Sequence, residues 1–295
     1  MQVHTTIQQL RAAIAARKQE LRATLLDREP RVGFMPTLGY MHAGHLSLID
    51  RARQECDIVV VSIFVNPLQF GANEDFDKYP RDNERDTRLA AEAGADFVFI
   101  PSVQEMYPQY PTKTKVVVNE ITDVLCGASR PGHFEGVATV VAKLFNIVQP
   151  DRAYFGQKDA QQVAVIEQMV QDLNMPLTVV PCPTLREPDG LAMSSRNVYL
   201  SEEERKQALV LSQALKLAED LTATHAGSIT AEELRSRLES HISTAPLAVI
   251  DYIDIRTYPS LQPVETLATD QPVLIALAVK FGRTRLIDNT ILNRR

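Results

Sequence analysis

The stretch Asp57 to Val65, DIVVVSIFV, decides how this chain is read. It is rich in β-branched residues, interrupted only by Ser62, and offers no polar face, so a strand made from it is buried on both sides. Such a strand belongs in the middle of a parallel sheet covered by helices. The flanks agree. Upstream, Arg31 to Met35 is a short β-type run ending at Pro36, and Gly44 to Glu55 has a helical pattern. Further back, Ile7, Leu10, Ile14, Leu21 and Leu25 mark an amphipathic helix over about Thr6 to Leu26. Downstream, Asn83 to Ala93 reads as a helix closed by Gly94, and Asp96 to Ile100 as the next strand. Val116 to Val118 is a possible strand. Phe134 to Val148 is a helix with Val137, Val141, Leu144 and Val148 on one stripe. Ala153 to Phe155, Asp159 to Leu173 and Leu177 to Pro181 read as strand, helix and strand. This alternation predicts a doubly wound α/β domain with a parallel sheet, over residues 1–184.

Near Arg186 the pattern changes. Ser201 to Ala223 reads as one long helix, opened by the capping box of Ser201 and Glu204, and Glu232 to Ile242 as another. Val249 to Arg256, Val273 to Phe281 and Arg285 to Asp288 then follow as strands with no helix between them. That order predicts an antiparallel sheet in a smaller α+β domain over residues 185–295.

Composition narrows the function. The chain of 295 residues is 45% hydrophobic and 23% charged, with net charge −6. No overall basic field is present to attract nucleic acid. Cys56, Cys126 and Cys182 are odd in number and far apart, which argues against a disulfide framework or a Cys-rich zinc site. The N-terminal segment lacks the apolar core of a signal peptide, and the longest apolar run is too short to span a bilayer. A cytoplasmic protein with reduced thiols is expected. If an acidic protein is to handle an anion, a few well-placed Lys, Arg and His residues must do it.

Five segments offer such residues. Met35-Pro36-Thr37-Leu38-Gly39-Tyr40-Met41-His42-Ala43-Gly44-His45 follows the first internal strand and opens a helix. Ligands in such sheets bind beyond the carboxyl ends of strands, and a helix N-terminus favours an anion. Two imidazoles at i, i+3 share one face of the first turn and can donate to phosphate oxygens; a protonated ring would add charge. A metal pair is the competing reading, with no obvious third ligand, and incidental surface histidines are another. At the end of the strongest strand, Asn66 and Gln69 can bind a hydroxyl or carboxylate without adding charge, although a polar loop would look the same. The Gly71 to Arg81 stretch after them could cover a site. Phe155 to Gln162 is a second strand–Gly–helix junction. Lys158 there opposes the helix macrodipole, which favours a functional reason for it. Asp159 could cap the helix, bind Mg²⁺ indirectly or bind ribose. Met193-Ser194-Ser195-Arg196-Asn197 offers two hydroxyls and a guanidinium, or simply a turn. Arg130 and His133, in Gly127 to Gly136, could reach a substrate, but a loop between core elements is the preferred reading. No Walker loop, G-x-G-x-x-G or Ser-His-Asp arrangement is present.

Taken in order, MPTLGYMHAGHLSLI (Met35–Ile49), FVNPLQF (Phe64–Phe70), YPRD (Tyr79–Asp82), GHFEGVATVV (Gly132–Val141), YFGQKDAQQ (Tyr154–Gln162) and GLAMSSRN (Gly190–Asn197) resemble the pantothenate synthetase family. The H-x-G-H element is shared with a wider superfamily of nucleotidyltransferases and class I aminoacyl-tRNA synthetases. The resemblance implies a Rossmann-like nucleotidyltransferase domain, with the smaller domain closing over the ATP site. It implies condensation of pantoate with β-alanine, using ATP and Mg²⁺, through a pantoyl-adenylate, in a homodimer. It places Met35 to His42, His45, Gly156, Gln157, Lys158, Asp159, Leu185, Met193, Ser194, Ser195 and Arg196 at ATP. His42, His45, Lys158 and Arg196 are its catalytic set, with His42 as proton donor, and Gln69 and Gln162 bind pantoate. Gln157 stands where many members have Glu. Because pyrophosphate is a good leaving group, hydrogen bonding to the phosphates is expected to outweigh proton donation by His42. The alternatives are another adenylyltransferase of the superfamily, or a silent nucleotide-binding regulator; the second is expected to lack a His, Lys or Arg that this chain retains.

Overall fold

The computed structural model describes residues 1–71, 74, 76–225, 229–268 and 270–293. The elements run β1 (Gln2–His4), α1 (Ile7–Arg22), β2 (Val32–Thr37), α2 (Ala43–Glu55), β3 (Ile58–Ile63), α3 (Asn83–Glu92), β4 (Phe97–Phe99), α4 (Val103–Met106), α5 (Cys126–Ser129), α6 (His133–Val148) and β5 (Arg152–Gly156). They continue with α7 (Ala160–Asp172), β6 (Thr178–Cys182), α8 (Glu202–Gln207), α9 (Val210–His225), α10 (Ala231–Ile242), β7 (Ala248–Thr257), β8 (Val273–Phe281) and β9 (Thr284–Leu292).

The first sheet has the order β1-β4-β3-β2-β5-β6, with every paired strand parallel. All six residues of β3 are buried, as its two apolar faces require. From β2 the chain builds outward through β3 and β4, then returns to the opposite side of β2 for β5 and β6. The topological switch therefore lies between β2 and β5, where a parallel sheet opens a crevice at its carboxyl edge. The second sheet is antiparallel, ordered β7-β8-β9, and α9 and α10 share a core with it through Leu211, Leu215, Leu234, Leu238, Ile275 and Leu277.

The chain divides into two compact units: 1–119, 130–157 and 165–183 form one, and 120–129, 158–164 and 184–295 the other. The second unit therefore takes in two short segments besides the C-terminal stretch expected from residue 185 onward.

Three readings of the elements need correction. The long helix expected over 201–223 is two helices, α8 and α9. Ser201 and Glu204 do form the capping box. However, Ala208, Val210 and Leu211 are all buried and Leu209 packs beside them, more consecutive apolar residues than one straight stripe can present. Val116 to Val118 join no strand, because the N–H of Val116 donates to the Thr139 hydroxyl of α6 at 3.0 Å. Finally, β1 went unread. Only three residues long and mostly exposed, it is a strand by virtue of pairing with β4.

Candidate active site

β2 ends in Met35, Pro36 and Thr37, and the chain then turns sharply before α2 begins. The turn needs Gly39 at φ 101° and Tyr40 at φ 49°. It is held from beneath by Asp86 of α3, which is fully buried. Its carboxylate accepts the N–H of Tyr40 at 2.6 Å and of Met41 at 2.7 Å. Burial pushes the Asp86 carboxyl upward, and these two N–H groups pull it back. Arg85 lies over the Tyr40 ring. Sequence reading missed Asp86, though a signal existed: it falls on the inward stripe of α3 with Leu89, Ala90 and Ala93, and a buried carboxylate requires donors.

The two histidines cap α2 reciprocally. His42 is the N-cap, and its Nδ1 accepts the N–H of Gly44 at 3.2 Å; the Nδ1 of His45 accepts the N–H of His42 at 3.3 Å. The rings lie 4.1 Å apart between centroids, tilted by 40°. The helix start thus presents its positive end and both imidazoles together, just beyond β2 at the switch point.

At the end of β3, Asn66 and Gln69 are both buried. Asn66 was read either as a group for a hydroxyl or carboxylate or as part of a polar loop; its amide is committed internally. Nδ2 donates to the Gly136 carbonyl at 3.1 Å and to Gln69 Oε1 at 3.2 Å, while Oδ1 accepts the Tyr107 hydroxyl at 2.8 Å. Asn66 therefore holds the Oε1 end of Gln69. Gln69, Leu68, Phe70, Lys115, His133 and Gly136 line a cavity of about 150 Å³. His133 Nδ1 holds the Gln69 carbonyl at 2.8 Å, and Arg130 pairs with Glu74 at 2.9 Å. Arg130 and His133 thus hold the loop around Gln69; the stretch read as a loop is partly helical, since 126–129 form α5 and His133 opens α6. Of the Gly71 to Arg81 stretch, residues 72, 73 and 75 lie outside the described residues, and with them the expected cover.

In the second unit, Lys158 stands in a short 3-10 turn (Gln157–Asp159) before α7. Its ammonium is 4.0 Å from the Asp159 carboxylate, its side chain is 18% exposed, and its carbonyl accepts from Asn289 Nδ2 at 2.8 Å. Gln162, one turn further along α7, is half-buried. Next to Asn289, Asp288 accepts two hydrogen bonds from Arg186, at 2.6 and 3.0 Å. Arg186 and Ala192 bridge an antiparallel turn, and the N–H of Met193 donates to the Leu185 carbonyl at 3.0 Å. Leu185 and Met193, eight positions apart, thereby become neighbours at the foot of the Ser194–Arg196 loop. The Ser194 hydroxyl caps that loop by accepting the N–H of Arg196. Adjacent residues of β9 thus tether both segments that carry the predicted cations. The missed signal is Asp288-Asn289, two polar residues side by side in a strand and both buried. Among the described residues, no group of three or more His, Cys, Asp or Glu is placed to hold a metal. The three cysteines are free and buried.

The model of one protein family, described as pantoate-beta-alanine ligase, matches residues 2–291.

The chain belongs to the pantoate-beta-alanine ligase family.

Curated relatives agree. A pantothenate synthetase of Pelotomaculum thermopropionicum is 54% identical over 294 residues, 100% of each chain, and one of Acetivibrio thermocellus is 56% identical over 99% of each. A solved pantothenate synthetase of Thermus thermophilus is 48% identical with TM-score 0.88, over 98% of this chain and 99% of its own. A pantoate-beta-alanine ligase of Francisella tularensis, solved in complex with beta-gamma ATP and beta-alanine, is 34% identical with TM-score 0.76, over 99% and 97%. For a member of this ligase family, the parallel sheet with its switch between β2 and β5 and the separate antiparallel sheet are the expected architecture.

Proposed function

We propose that this chain condenses pantoate with β-alanine at the expense of ATP, through pantoyl-adenylate, giving pantothenate, AMP and pyrophosphate. The observation that carries the reading is the His42–His45 pair capping α2 just past β2, at the switch point of the sheet. That is where a parallel sheet receives a nucleotide. β5 lies beside β2 and ends at Gly156, two positions before Lys158.

The chemistry requires such groups. A carboxylate is a poor acyl donor because its leaving group would be oxide. One pantoate carboxylate oxygen attacks the α-phosphorus of ATP; the bond to the bridging oxygen breaks and pyrophosphate leaves. The neutral amine of β-alanine then attacks the mixed anhydride, and AMP departs as the amide forms and the amine loses its proton. No enzyme nucleophile takes part. Pantoate and ATP are both anions, so their encounter must be offset by fixed positive charge and donors. In this reading His42, His45, Lys158 and Arg196 act on the phosphates. Met35 to Met41, Gly156, Gln157, Asp159, Leu185, Met193, Ser194 and Ser195 hold the nucleotide, and Gln69 and Gln162 hold pantoate. Mg²⁺ would enter with ATP as part of the substrate and offset phosphate charge, a mode that calls for at most one or two protein carboxylates; Asp159, beside Lys158, would be the candidate. Holding both substrates supplies much of the rate, since effective molarities reach ~10⁵ M or more.

The proposal includes a homodimer and a cytoplasmic location. No helix among the described residues is long and apolar enough to cross a membrane. The deciding experiment mixes the purified chain with ATP, Mg²⁺ and pantoate. Pyrophosphate release that is completed by AMP and pantothenate only on adding β-alanine is the expected result; AMP transfer to a phosphate-bearing acceptor instead would reassign the chain within the superfamily. Sedimentation velocity tests the dimer, which a single monomeric boundary at working concentration would exclude.

A further inference from the structure

We propose that Asn289 and Asp288, adjacent in β9, are positioning residues: Asn289 sets Lys158, and Asp288 sets the loop that carries Arg196, so that one strand fixes both cations at a set spacing. The action of the two cations on phosphate rests on the function proposed above.

The strand pattern is the starting point. β9 is an edge strand, and side chains along a strand alternate between its faces. Asp288 pairs with Leu277 of β8, which belongs to the core shared with α9 and α10. Thr290, two residues on, donates to the Glu219 carboxylate of α9 at 2.8 Å, so Asp288 lies on the helix side of the sheet. Asn289 pairs with Ala276 and lies on the opposite side. Both side chains are nonetheless buried. Asp and Asn are poor strand formers, and their polar groups are costly to bury unless a partner meets them.

On each side the partner is a segment that carries a predicted cation. On one side the Asn289 amide donates to the Lys158 carbonyl at 2.8 Å. That bond fixes the backbone from which the Lys158 side chain departs. On the other side both oxygens of Asp288 accept from Arg186, at 2.6 and 3.0 Å. Arg186 also donates to the Gly190 carbonyl at 3.1 Å, closing the turn that Arg186 and Ala192 bridge. Asn197 then donates to the Ala192 carbonyl at 3.1 Å, and the Ser194 hydroxyl accepts the N–H of Arg196 at 3.3 Å. A chain of hydrogen bonds thus runs from Asp288 to the loop around Arg196. The two anchors are themselves joined, because the N–H of Asn289 donates to the Asp288 carboxylate at 2.9 Å.

Stability alone does not call for this arrangement. A buried ion pair gains little over well-packed apolar residues of similar volume. What apolar residues cannot supply is direction. Hydrogen bonds fix where a segment of backbone sits, and misplacing a reacting group by about 1 Å can cost on the order of a hundredfold in rate.

The test is a set of double-mutant cycles on the full chain, read as Mg·ATP affinity by isothermal titration and as pyrophosphate release with pantoate. Asn289→Ala is expected to weaken both about tenfold, and to change neither further in a Lys158→Ala background. Its cost is expected to persist in an Arg196→Ala background. Asp288→Asn is expected to show the converse, with a cost that persists beside Lys158→Ala and disappears beside Arg196→Ala. Costs that multiply in every background are the mark of a merely structural role and overturn the proposal. A Lys158→Ala chain with wild-type affinity and release overturns it as well. Circular dichroism melts check each variant, and if Asn289→Ala does not fold, Asn289→Leu, of similar volume, takes its place in the cycle. A wild-type chain that binds Mg·ATP but makes no pantothenate defeats the function proposed above, and the cycles on Mg·ATP affinity still decide the positioning.

Discussion

Single side chains here divide into those that would meet a ligand and those that aim them. Gln69 and Asn66 are the clearest case. Both are buried amides at the end of β3, yet Asn66 spends its hydrogen bonds on Gly136, Tyr107 and Gln69, while Gln69 lines the cavity beside it. Lys158 differs in kind, as a point charge fixed through its own carbonyl to Asn289. These roles separate kinetically. Lys158→Ala is expected to slow pyrophosphate release on the order of a hundredfold or more, because a charge on the transferring phosphoryl group is lost. Gln69→Ala, losing one hydrogen bond, is expected to raise the KM for pantoate about tenfold and leave that for ATP nearly unchanged. Steady-state titration of each substrate reads both. Unchanged release would remove Lys158 from the site, and equal shifts for both substrates would reassign Gln69. The Met35–His45 and Phe155–Gln162 segments were legible in the sequence, because their neighbours fix strand, turn and helix in order. Asp86, Asp288 and Asn289 were not, because a buried polar residue is recognisable only once its partners are in place.

Elements transmit positions through close contact. The start of α6 lies so near the loop after β3 that a Cβ on Gly136 would stand 2.2 Å from the Leu68 carbonyl oxygen and 2.6 Å from the Gln69 N. Backbone cannot yield as a flexible side chain does. Gly136→Ala is therefore expected to cost on the order of 3 kcal/mol and to displace Gln69. Urea unfolding measures the first, and pantoate KM the second; a variant with wild-type values for both would show that the contact gives way freely. A second junction sets a pH dependence. Asp57, just before β3, accepts from Arg28 at 2.6 and 2.8 Å and from the N–H of Arg31 at 2.8 Å. Mainly through Arg28, its carboxyl falls from 3.8 to about 2 in the folded chain. A depressed carboxyl stabilises the fold fully above its unfolded value, and that contribution disappears as pH falls through the folded one. The stability advantage of wild type over Asp57→Asn is accordingly expected to be constant above about pH 5 and to vanish toward pH 2. An advantage independent of pH over that range would mean the pairing carries no linkage.

At the scale of the whole molecule, the chain does not divide at a single cut. The second unit includes 120–129 and 158–164 as well as 184–295. Gln161 binds the N–H of Cys126 and the carbonyls of Ile121 and Val124, knitting the two inserted segments together. Cys126 in turn lies 3.2 Å from the Tyr252 hydroxyl of β7. A fragment of residues 184–295 retains the core of α9, α10 and the antiparallel sheet but loses the contact of Tyr252 with Cys126 and that of Asn289 with the Lys158 carbonyl. It is expected to unfold at lower urea than the intact chain, followed by circular dichroism; an equal midpoint would mean the inserted segments add nothing to this unit.

What the sequence determined by itself was local and repetitive: two-faced apolar strands, helical stripes, Gly and Pro at junctions, and motifs held within a few residues. These follow from backbone geometry and the burial of apolar side chains, which act between near neighbours. Only the tertiary structure decided that Asn66 aims rather than binds, that the helix after Ser201 breaks at Ala208, and that Leu185 and Met193 sit side by side. Each depends on which distant group arrives to complete a hydrogen bond or fill a core, and chain order does not record that meeting.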